Sequence, residues 1–213
     1  MQLDVFTLVP HAFAWLTEQR PVASVLGTEL DLRLFSYRDT TPLRSGQVDD
    51  EPYGGGAGMV LRVDVVAAAL DGVYGGAPER RVVALTPQGR QLTQEVVEEL
   101  AAEPALTLLS ARFEGFDERI VQHVASDAIS VGPYVLSNGD LPAMVLVDAI
   151  ARRLPGALAE GSGELESFMP ELCGALEHPH YTRPAEFRGW RVPDVLLSGD
   201  HGKVDAWRRE HVR

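Results

Sequence analysis

The sequence predicts an α/β fold in which a mostly parallel sheet is flanked by helices. Short apolar stretches rich in β-branched residues recur along the chain, helical segments lie between them, and glycine or proline turns follow several predicted strands. Strands that alternate with helices are typical of parallel sheets, because each helix returns the chain to the same edge of the sheet. The 213 residues, 45% of them hydrophobic and 23% charged, are enough for one generous domain or a domain with a small appendage.

The hydrophobic periodicity places the elements in chain order. Apolar or alternating runs predict strands at residues 3–9, 30–37, 81–86, 105–111 and 127–131. Helical spacing predicts helices at residues 11–20, 64–74, 117–124 and 142–154, one that Thr93 caps, and one from residue 201 onward. Asp140 is expected to cap the helix that Pro142 begins. The long polar, glycine-rich loop at residues 38–58 is of a kind that is usually functional or mobile.

The charge distribution disfavours non-specific nucleic-acid binding. The formal net charge is -12, whereas such binding relies on Lys and Arg to neutralise phosphates. Seven basic and five acidic residues give the span 183–213 a net charge of +2, so a local basic site remains open. Lys203 is the only lysine, so cationic contacts fall to arginine, which is the better bidentate phosphate ligand.

The sequence indicates a cytoplasmic protein. Cys173 is the single cysteine, which excludes an internal disulfide and fits a reducing compartment. The first ten residues carry no basic segment, so no signal peptide is expected. No apolar run approaches the length that a membrane span requires, so we expect no membrane partner.

Four segments rich in glycine or proline are the candidates for a ligand site. They read DDEPYGGGAGM from Asp49, TPQGR from Thr86, ARFEGFDER from Ala111 and SVGPYVLSNGD from Ser130. Ligands of parallel α/β sheets bind beyond the carboxyl ends of the strands, and glycine lets the backbone approach a ligand closely. For any one of these segments, a tight connection is the ordinary explanation.

Several familiar motifs are missing or weak. GGGAGM lacks the Gly-Lys-Ser/Thr ending of a phosphate-binding loop, and neither a dinucleotide fingerprint nor a Gly-x-Ser-x-Gly elbow occurs. His178 and His180 in HPH could suggest a metal ligand pair. Without further spaced histidines nearby, a structural or RNA-facing role is favoured, and we predict no metal site.

Read together, seven collinear segments resemble the bacterial tRNA (guanine-N1)-methyltransferase family, a branch of the SPOUT methyltransferases. The matching segments are VDDEPYGGGAGM, TPQGR, RFEGFDER, YVLSNGDLPAM, DAIARRLPG, HPHYTRP and VPDVLLSGDH. The resemblance implies a parallel sheet flanked by helices with a deep trefoil knot on its C-terminal side. It implies S-adenosylmethionine as methyl donor and N1-methylguanine as product, formed on the 3′ side of the anticodon in tRNAs with guanine one position earlier.

The resemblance also implies how the chain is organised. Residues 1–158 would form the knotted cofactor-binding domain, residues 159–170 a flexible linker, and residues 171–213 a truncated or reduced tRNA-binding segment. The family works as a homodimer with active sites shared between the copies. A requirement for Mg²⁺ stays open.

Site residues follow from the matching segments. The cofactor-binding residues implied by the match are Leu85, Thr86, Pro87, Gly89, Ala111, Phe113, Glu114, Gly115, Ser130, Val131, Gly132, Tyr134, Leu136, Asn138, Gly139 and Pro142. The substrate-binding residues implied by the match are Asp50, Tyr53, Gly55, Gly56, Gly58, Met59, His180, Tyr181 and Arg183.

The chemistry of guanine methylation requires a base and a cation. N1 of guanine carries a proton and is a poor nucleophile until a carboxylate removes it, and negative charge then builds toward O6, where arginine stabilises it. Arg152 matches the family's arginine. The family's aspartate base is Glu166 here, with Glu164 as a second candidate.

Two alternatives remain at this point. The departures from the family pattern, among them Ala111 and Pro133, favour a divergent knotted module that binds cofactor or RNA with little or no catalysis. A SPOUT enzyme with another RNA target is the other alternative.

Overall fold

The chain folds into two compact units, residues 1–158 and residues 159–213. The structure, a computed structural model, describes residues 1–159 and 166–213. Within these residues, no helix combines the length and the apolar character that crossing a membrane would require.

The first unit is built on a five-stranded parallel sheet. Its strands, in chain order, are β1 (Gln2–Thr7), β2 (Asp31–Ser36), β5 (Arg81–Gln91), β6 (Ala105–Ser110) and β7 (Asp127–Ser130), and their order across the sheet is β2-β1-β6-β5-β7. Every neighbouring pair is parallel. A small antiparallel pair, β3 (Asp49–Asp50) and β4 (Val60–Leu61), closes the base of the glycine-rich loop.

Helices cover both faces of this sheet. They are α1 (Ala14–Glu18), α2 (Val22–Val25), α3 (Val63–Tyr74), α4 (Gln94–Ala101), α5 (Glu118–His123) and α6 (Asp140–Ala151). Buried residues of α1, α2, α4 and α6 join one hydrophobic cluster, and those of α3 and α5 join a second. Neighbouring strand residues such as Val5 and Phe6 enter different clusters, because side chains alternate between the two faces of a strand. The predicted parallel sheet flanked by helices is thus confirmed.

Most predicted elements differ from the structure by one or two residues at an end, and three differ more. The helix expected at residues 11–20 is a 3₁₀ turn at Pro10–Phe13 followed by the short α1. Strand β5 continues to Gln91 beyond the predicted turn. Helix α6 begins at Asp140 after an N-cap at Gly139, so the prediction that Asp140 is the cap is wrong.

A polar cluster lies inside the sheet toward its amino ends. Asp4 of β1 is fully buried and accepts hydrogen bonds from Arg33 (2.7 Å), Arg80 (3.0 Å) and Tyr74 (2.6 Å), whose hydroxyl also lies 2.7 Å from Thr107. Burial and the hydrogen bond to Asp4 raise the pKa of Tyr74 to about 12. A buried carboxylate is tolerated when it is paired and hydrogen-bonded, as here.

The second unit is a small assembly of short elements. It contains a 3₁₀ turn at Pro170–Leu172, the antiparallel pair β8 (Glu186–Phe187) and β9 (Trp190–Arg191), and helices α7 (Asp194–Leu197) and α8 (His201–Glu210). Asp200 caps α8 by accepting a hydrogen bond from the Lys203 amide at 3.2 Å. Backbone hydrogen bonds between Leu176 and Arg213 tie the last residue to the start of this unit.

Candidate functional site

A cavity of about 270 Å³ lies at the carboxyl ends of β5, β6 and β7, beside the start of α6. Three segments of the first unit, together with α5, supply its lining. The lining residues are Leu85, Thr86, Pro87, Gln88, Ala111, Arg112, Phe113, Glu114, Gly115, Phe116, Glu118, Val121, Ile129, Ser130, Val131, Tyr134, Val135, Leu136, Ser137, Asn138, Gly139 and Pro142. This is the edge of a parallel sheet at which small ligands bind.

An excursion of β5 forms the first wall. Leu85 and Arg90 both pair with Ile129 of β7, so residues 86–89 leave the ladder and rejoin it at the same partner. Thr86 and Pro87 are thereby carried into the lining. Gly89 lies against the β7 backbone, where a Cβ atom would overlap Ala128 and Ile129, so the strand can rejoin the sheet only through a residue without a side chain.

The segment after β6 forms the second wall. Phe113 has a φ of 62°, a backbone conformation that residues other than glycine rarely adopt, and the residue is 45% exposed. The Gly115 amide donates to the Arg112 carbonyl at 3.1 Å and closes a tight turn. Asp117 then caps α5 by accepting a hydrogen bond from the Arg119 amide at 3.0 Å. Backbone strain of this kind clusters at functional sites.

The glycine-rich loop is fastened to this second wall. The Glu114 amide donates to the Met59 carbonyl at 2.9 Å, and the Leu61 amide donates to the Gly115 carbonyl at 3.0 Å. Gly58 has a φ of 85°, and a Cβ atom there would overlap the Glu114 carboxylate. The loop therefore packs against the side chain of Glu114, which lines the cavity.

The remaining predicted substrate residues of the loop lie outward. Tyr53 is fully exposed. Asp50 forms an ion pair with Arg62 at 2.9 Å. Gly55 and Gly56 have φ values of 77° and 134° with no crowding that a small side chain could not tolerate, so backbone conformation accounts for glycine at both positions.

The third wall runs from the end of β7 to α6. The Ser130 hydroxyl donates to the Gly132 carbonyl at 2.9 Å, and the Gly139 amide donates to the Ala111 carbonyl at 2.7 Å, which joins the third wall to the second. Gly139 packs so closely that a Cβ would lie 3.0 Å from the Ala111 nitrogen. The Asn138 side chain accepts a hydrogen bond from the Asp140 amide at 2.9 Å.

The structure brings most of the predicted cofactor residues together. All but two of them line the cavity, although they come from three segments separated in the sequence. Gly89 and Gly132 are outside the lining. Gly89 contacts the β7 backbone, and a Cβ on Gly132 would overlap the Tyr134 ring. Both glycines therefore allow the close packing of the cavity walls without lining the cavity themselves.

Sequence reasoning missed eight lining residues. These are Gln88, Arg112, Phe116, Glu118, Val121, Ile129, Val135 and Ser137. All of them except Val121 and Ile129 lie inside motifs quoted for the resemblance, and that adjacency is a signal that could have found them. Val121 and Ile129 face the cavity from α5 and β7, where an apolar residue is equally typical of the core.

Arg152, one of the two predicted catalytic residues, occupies the C-terminal cap of α6 in the first unit. Its amide donates to the Asp148 carbonyl at 3.1 Å. Burial raises the pKa of Asp148, and the charge of Arg152 opposes that effect.

Glu166 belongs to the second unit, as do His180, Tyr181 and Arg183. Glu164, the second candidate base, lies outside the described residues. The His180 ring nitrogen lies 2.8 Å from the Glu177 carboxylate, and Tyr181 forms an edge contact with Trp207 at 6.2 Å. Desolvation, with His180 and Arg208 nearby, lowers the pKa of His178.

The described ranges contain no group of three or more His, Cys, Asp or Glu side chains arranged to hold a metal ion. The cavity combines apolar walls with exposed backbone groups, one arginine and two glutamates, which suits a small polar ligand with an apolar face.

Comparison with known proteins identifies the family of this chain. The family described as tRNA (Guanine-1)-methyltransferase TrmD matches residues 1–213. The protein named tRNA (guanine-N(1)-)-methyltransferase from Brevibacillus brevis is 44% identical over 215 residues, covering 100% of this chain and 87% of its own length. Proteins of the same name from Geobacillus kaustophilus and Dehalococcoides mccartyi are 45% and 44% identical over 99% of this chain, and 86% and 85% of their own lengths. The chain belongs to the tRNA (guanine-1)-methyltransferase family.

Proposed function

We propose that this enzyme transfers the methyl group of S-adenosylmethionine to N1 of the guanine on the 3′ side of the anticodon, in tRNAs with guanine one position earlier. The main support for this proposal is the cavity at the carboxyl ends of three parallel strands. One wall of this cavity is hydrogen-bonded to the glycine-rich loop, from the Glu114 amide to the Met59 carbonyl. Family membership makes the protein a tRNA guanine-N1 methyltransferase. It favours an enzyme over a binding module without catalysis.

The residues of the cavity fit the methyl donor. A cavity of about 270 Å³ with apolar walls suits a compact, bent nucleoside, and Gly139 keeps a backbone wall free of a side chain. The backbone around Leu85, Ser130 and Leu136 would hold the adenine and ribose, and Glu114 would face the amino-acid end. When bound, the cofactor supplies an electrophilic methyl group on a sulfonium.

The chain's own residues would prepare the guanine. Glu166 removes the N1 proton, and Arg152 stabilises the negative charge that develops toward O6. Tyr53 and the glycines beside it offer an exposed side chain and bare backbone to a flat base, while Asp50 offers a hydrogen-bond acceptor. Methyl transfer then requires in-line positioning of the methyl donor and N1.

The exposed apolar residues of helix α6 support the proposal of a homodimer with shared active sites. Leu141 and Val145 are 56% and 49% exposed, four residues apart on the helix that begins at the cavity. A helix that is apolar on nearly all sides is usually covered on all sides. We propose that a second copy covers this face and that Glu166 serves the active site of the neighbouring copy.

The remaining organisation is part of the same proposal. The three cavity walls would be the crossings of the trefoil knot in residues 1–158. Residues 159–170 would act as linker, and residues 171–213 as the tRNA-binding segment, with His180, Tyr181 and Arg183 facing RNA. The enzyme would act in the cytoplasm.

Substitution of the base tests this function. Glu166→Gln should lower turnover by about 10²–10⁴-fold, because loss of a general base has that effect, while affinity for S-adenosylhomocysteine stays near normal. Turnover is measured with methyl-labelled cofactor and a tRNA carrying two adjacent guanines at the anticodon boundary, with N1-methylguanine as the product scored.

The matched variant is Glu164→Gln, which removes the same charge two residues earlier. Full activity of Glu166→Gln together with an inactive Glu164→Gln would transfer the role to Glu164. Absence of label from N1-methylguanine with the wild-type enzyme would refute the proposed reaction.

A further inference from the structure

Arg112 is the only arginine among the residues that line the cavity within the described chain. It lies two residues after the end of β6, and its side chain is 38% exposed. Glu114 lines the same cavity from the other side of the strained residue Phe113. A cation and a carboxylate on one cavity wall are complementary to a ligand that carries both an anionic and a cationic group.

Behind Arg112 lies the buried carboxylate of Asp140. Asp140 is 4% exposed at the first position of α6. Its Oδ1 accepts hydrogen bonds from the Thr7 hydroxyl at 2.5 Å and from the Ser110 hydroxyl at 2.6 Å. These donors come from the carboxyl ends of β1 and β6, so the carboxylate is fixed by two strands and a helix at once.

The second oxygen of this carboxylate is aimed at the cavity wall. Asp140 Oδ2 lies 3.5 Å from Arg112 Nε, and both atoms are buried without a hydrogen-bond partner in the part of the chain that the structure describes. A buried charged oxygen without a donor is costly, and an ion pair behind a cavity wall restricts the guanidinium to a few orientations. The Nε edge is thus turned toward Asp140, which leaves the far end of the guanidinium for a ligand.

We propose that Asp140 orients the Arg112 guanidinium to bind the carboxylate of the cofactor's amino-acid end, while Glu114 faces its ammonium group. This inference rests on the proposed function, because it takes S-adenosylmethionine as the ligand. Arg112 is then a ligand-binding residue, and Asp140 is a positioning residue that acts through it. Planar, bidentate recognition of a carboxylate is the contact for which arginine is best suited.

Two ligands that differ only at the amino-acid end test the proposal. S-adenosylhomocysteine carries the zwitterion, and 5′-methylthioadenosine lacks it. In calorimetric titrations, Arg112→Gln should weaken S-adenosylhomocysteine binding roughly tenfold or more, the usual effect of losing a hydrogen bond to a charged group. Affinity for 5′-methylthioadenosine should change less than about twofold. Arg119→Gln is the matched control, since it removes the same charge near the start of α5, outside the lining.

The positioning role is tested by a double-mutant cycle. Asp140→Asn keeps the size of the side chain and should weaken S-adenosylhomocysteine binding selectively, and the double variant should be no weaker than Arg112→Gln alone. Additive losses would show that Asp140 does not act through Arg112. Should Asp140→Asn fail to fold, Arg112→Gln and Arg112→Lys still test the role of Arg112. The lysine variant should recover part of the preference for S-adenosylhomocysteine over 5′-methylthioadenosine.

The other outcomes are informative in the same way. An equal loss for both ligands in Arg112→Gln would mean a structural role and would overturn the inference, as would an unchanged cofactor affinity with a weakened affinity for tRNA. If the wild-type protein binds neither ligand, the proposed cofactor itself is wrong. These results separate failure of this inference from failure of the proposed function.

Discussion

Asp127, the first residue of β7, holds two arginines of β5. Its Oδ2 lies 2.6 Å from Arg81 Nη2 and 2.7 Å from Arg90 Nη2. Burial alone would raise the pKa of Asp127, but hydrogen bonds from Arg90 and Arg81 outweigh burial and hold the pKa below its ordinary value. A carboxyl group with a depressed folded-state pKa contributes stability above its unfolded pKa of about 3.9, and that contribution is lost as pH falls through the lower folded value.

Asp127→Asn should therefore lower the free energy of unfolding at pH 7 by about 1–2 kcal/mol, the usual range for hydrogen bonds to a charged group. Stability should also fall less steeply with acid in this variant than in the wild type, below about pH 4. Urea unfolding at neutral and acid pH measures both effects. Asp205→Asn serves as control, because its exposed pair with Arg208 should contribute less than about 0.5 kcal/mol. Identical acid sensitivity of Asp127→Asn and wild type would contradict the assignment.

Local signals predicted some single-residue roles and missed others. Thr93 caps α4 as expected, with its hydroxyl accepting a hydrogen bond from the Val96 amide at 3.4 Å, because that partner is three residues away. Asp140 was expected to cap α6 and instead binds Thr7, 133 residues earlier, and Ser110. Those partners come from two strands, and no local pattern shows that the fold brings them to one point.

At the scale of elements, the glycine-rich loop and the segment after β6 behave as one structure. Their backbones are joined from Glu114 to Met59 at 2.9 Å and from Leu61 to Gly115 at 3.0 Å. Gly58 lies where the two segments meet, and because it has no side chain it leaves room for the Glu114 carboxylate. A change at Gly58 therefore acts on the cavity, although Gly58 itself is not among the lining residues.

Gly58→Ala should displace the Glu114 side chain and reduce S-adenosylhomocysteine affinity and turnover by roughly tenfold, the loss expected for one hydrogen bond to a charged group. Stability should fall by only about 1 kcal/mol, since the overlapping atoms belong to the end of a flexible side chain. Gly54→Ala is the matched control, because Gly54 has a φ of 87° and no neighbour within 4 Å of a Cβ atom. Equal losses in both variants would assign the effect to backbone strain alone.

The sequence predicted the strands of the sheet well because their apolar runs are continuous. It ended one strand at residue 86 before a turn, whereas β5 continues to Gln91 after leaving the ladder between Leu85 and Arg90. A glycine and a proline signal an interruption, but the return to Ile129 depends on a partner strand some forty residues later in the chain. The turn and its place in a candidate ligand site were therefore predictable from the sequence, whereas the return of the strand to the sheet was not.

At the scale of the whole molecule, the exposed face of α6 defines the proposed contact between copies. Leu141 and Val145 leave apolar surface uncovered next to the cavity, on a helix whose other face is fully packed. Apolar residues at this spacing form one stripe along a helix. A charged residue in a buried stripe is strongly unfavourable, so this face is a sensitive place to test assembly.

Leu141→Glu combined with Val145→Glu should convert the proposed dimer to monomer and lower turnover by about a hundredfold or more, because the proposed base comes from the other copy. Light scattering after gel filtration measures the mass, and the labelled-methyl assay measures turnover. Leu141→Met keeps an apolar side chain of similar volume and should remain dimeric and active. A fully active monomer would remove the need for a shared site.

The span 183–213 should give tRNA binding a strong salt dependence. Its net charge is +2 in a chain of net charge -12, so phosphate contacts would be concentrated there. Affinity should fall by about tenfold between about 50 and 200 mM salt if two phosphates are neutralised. Arg183→Gln should weaken binding and flatten this slope, whereas Asp31→Asn, on β2 of the other unit, should leave the slope unchanged. A tRNA affinity that is equal at low and high salt would argue against RNA binding by this segment.

The bond between Glu114 and Met59 has a further consequence for how two ligands share the protein. Because the two segments are hydrogen-bonded to each other, we expect a ligand that immobilises the segment after β6 to restrict the glycine-rich loop as well. A second ligand that binds the loop should then bind more tightly than it would alone. Because such linkage is reciprocal, nucleic acid that steadies the loop must strengthen retention of the small molecule in the cavity by the same factor.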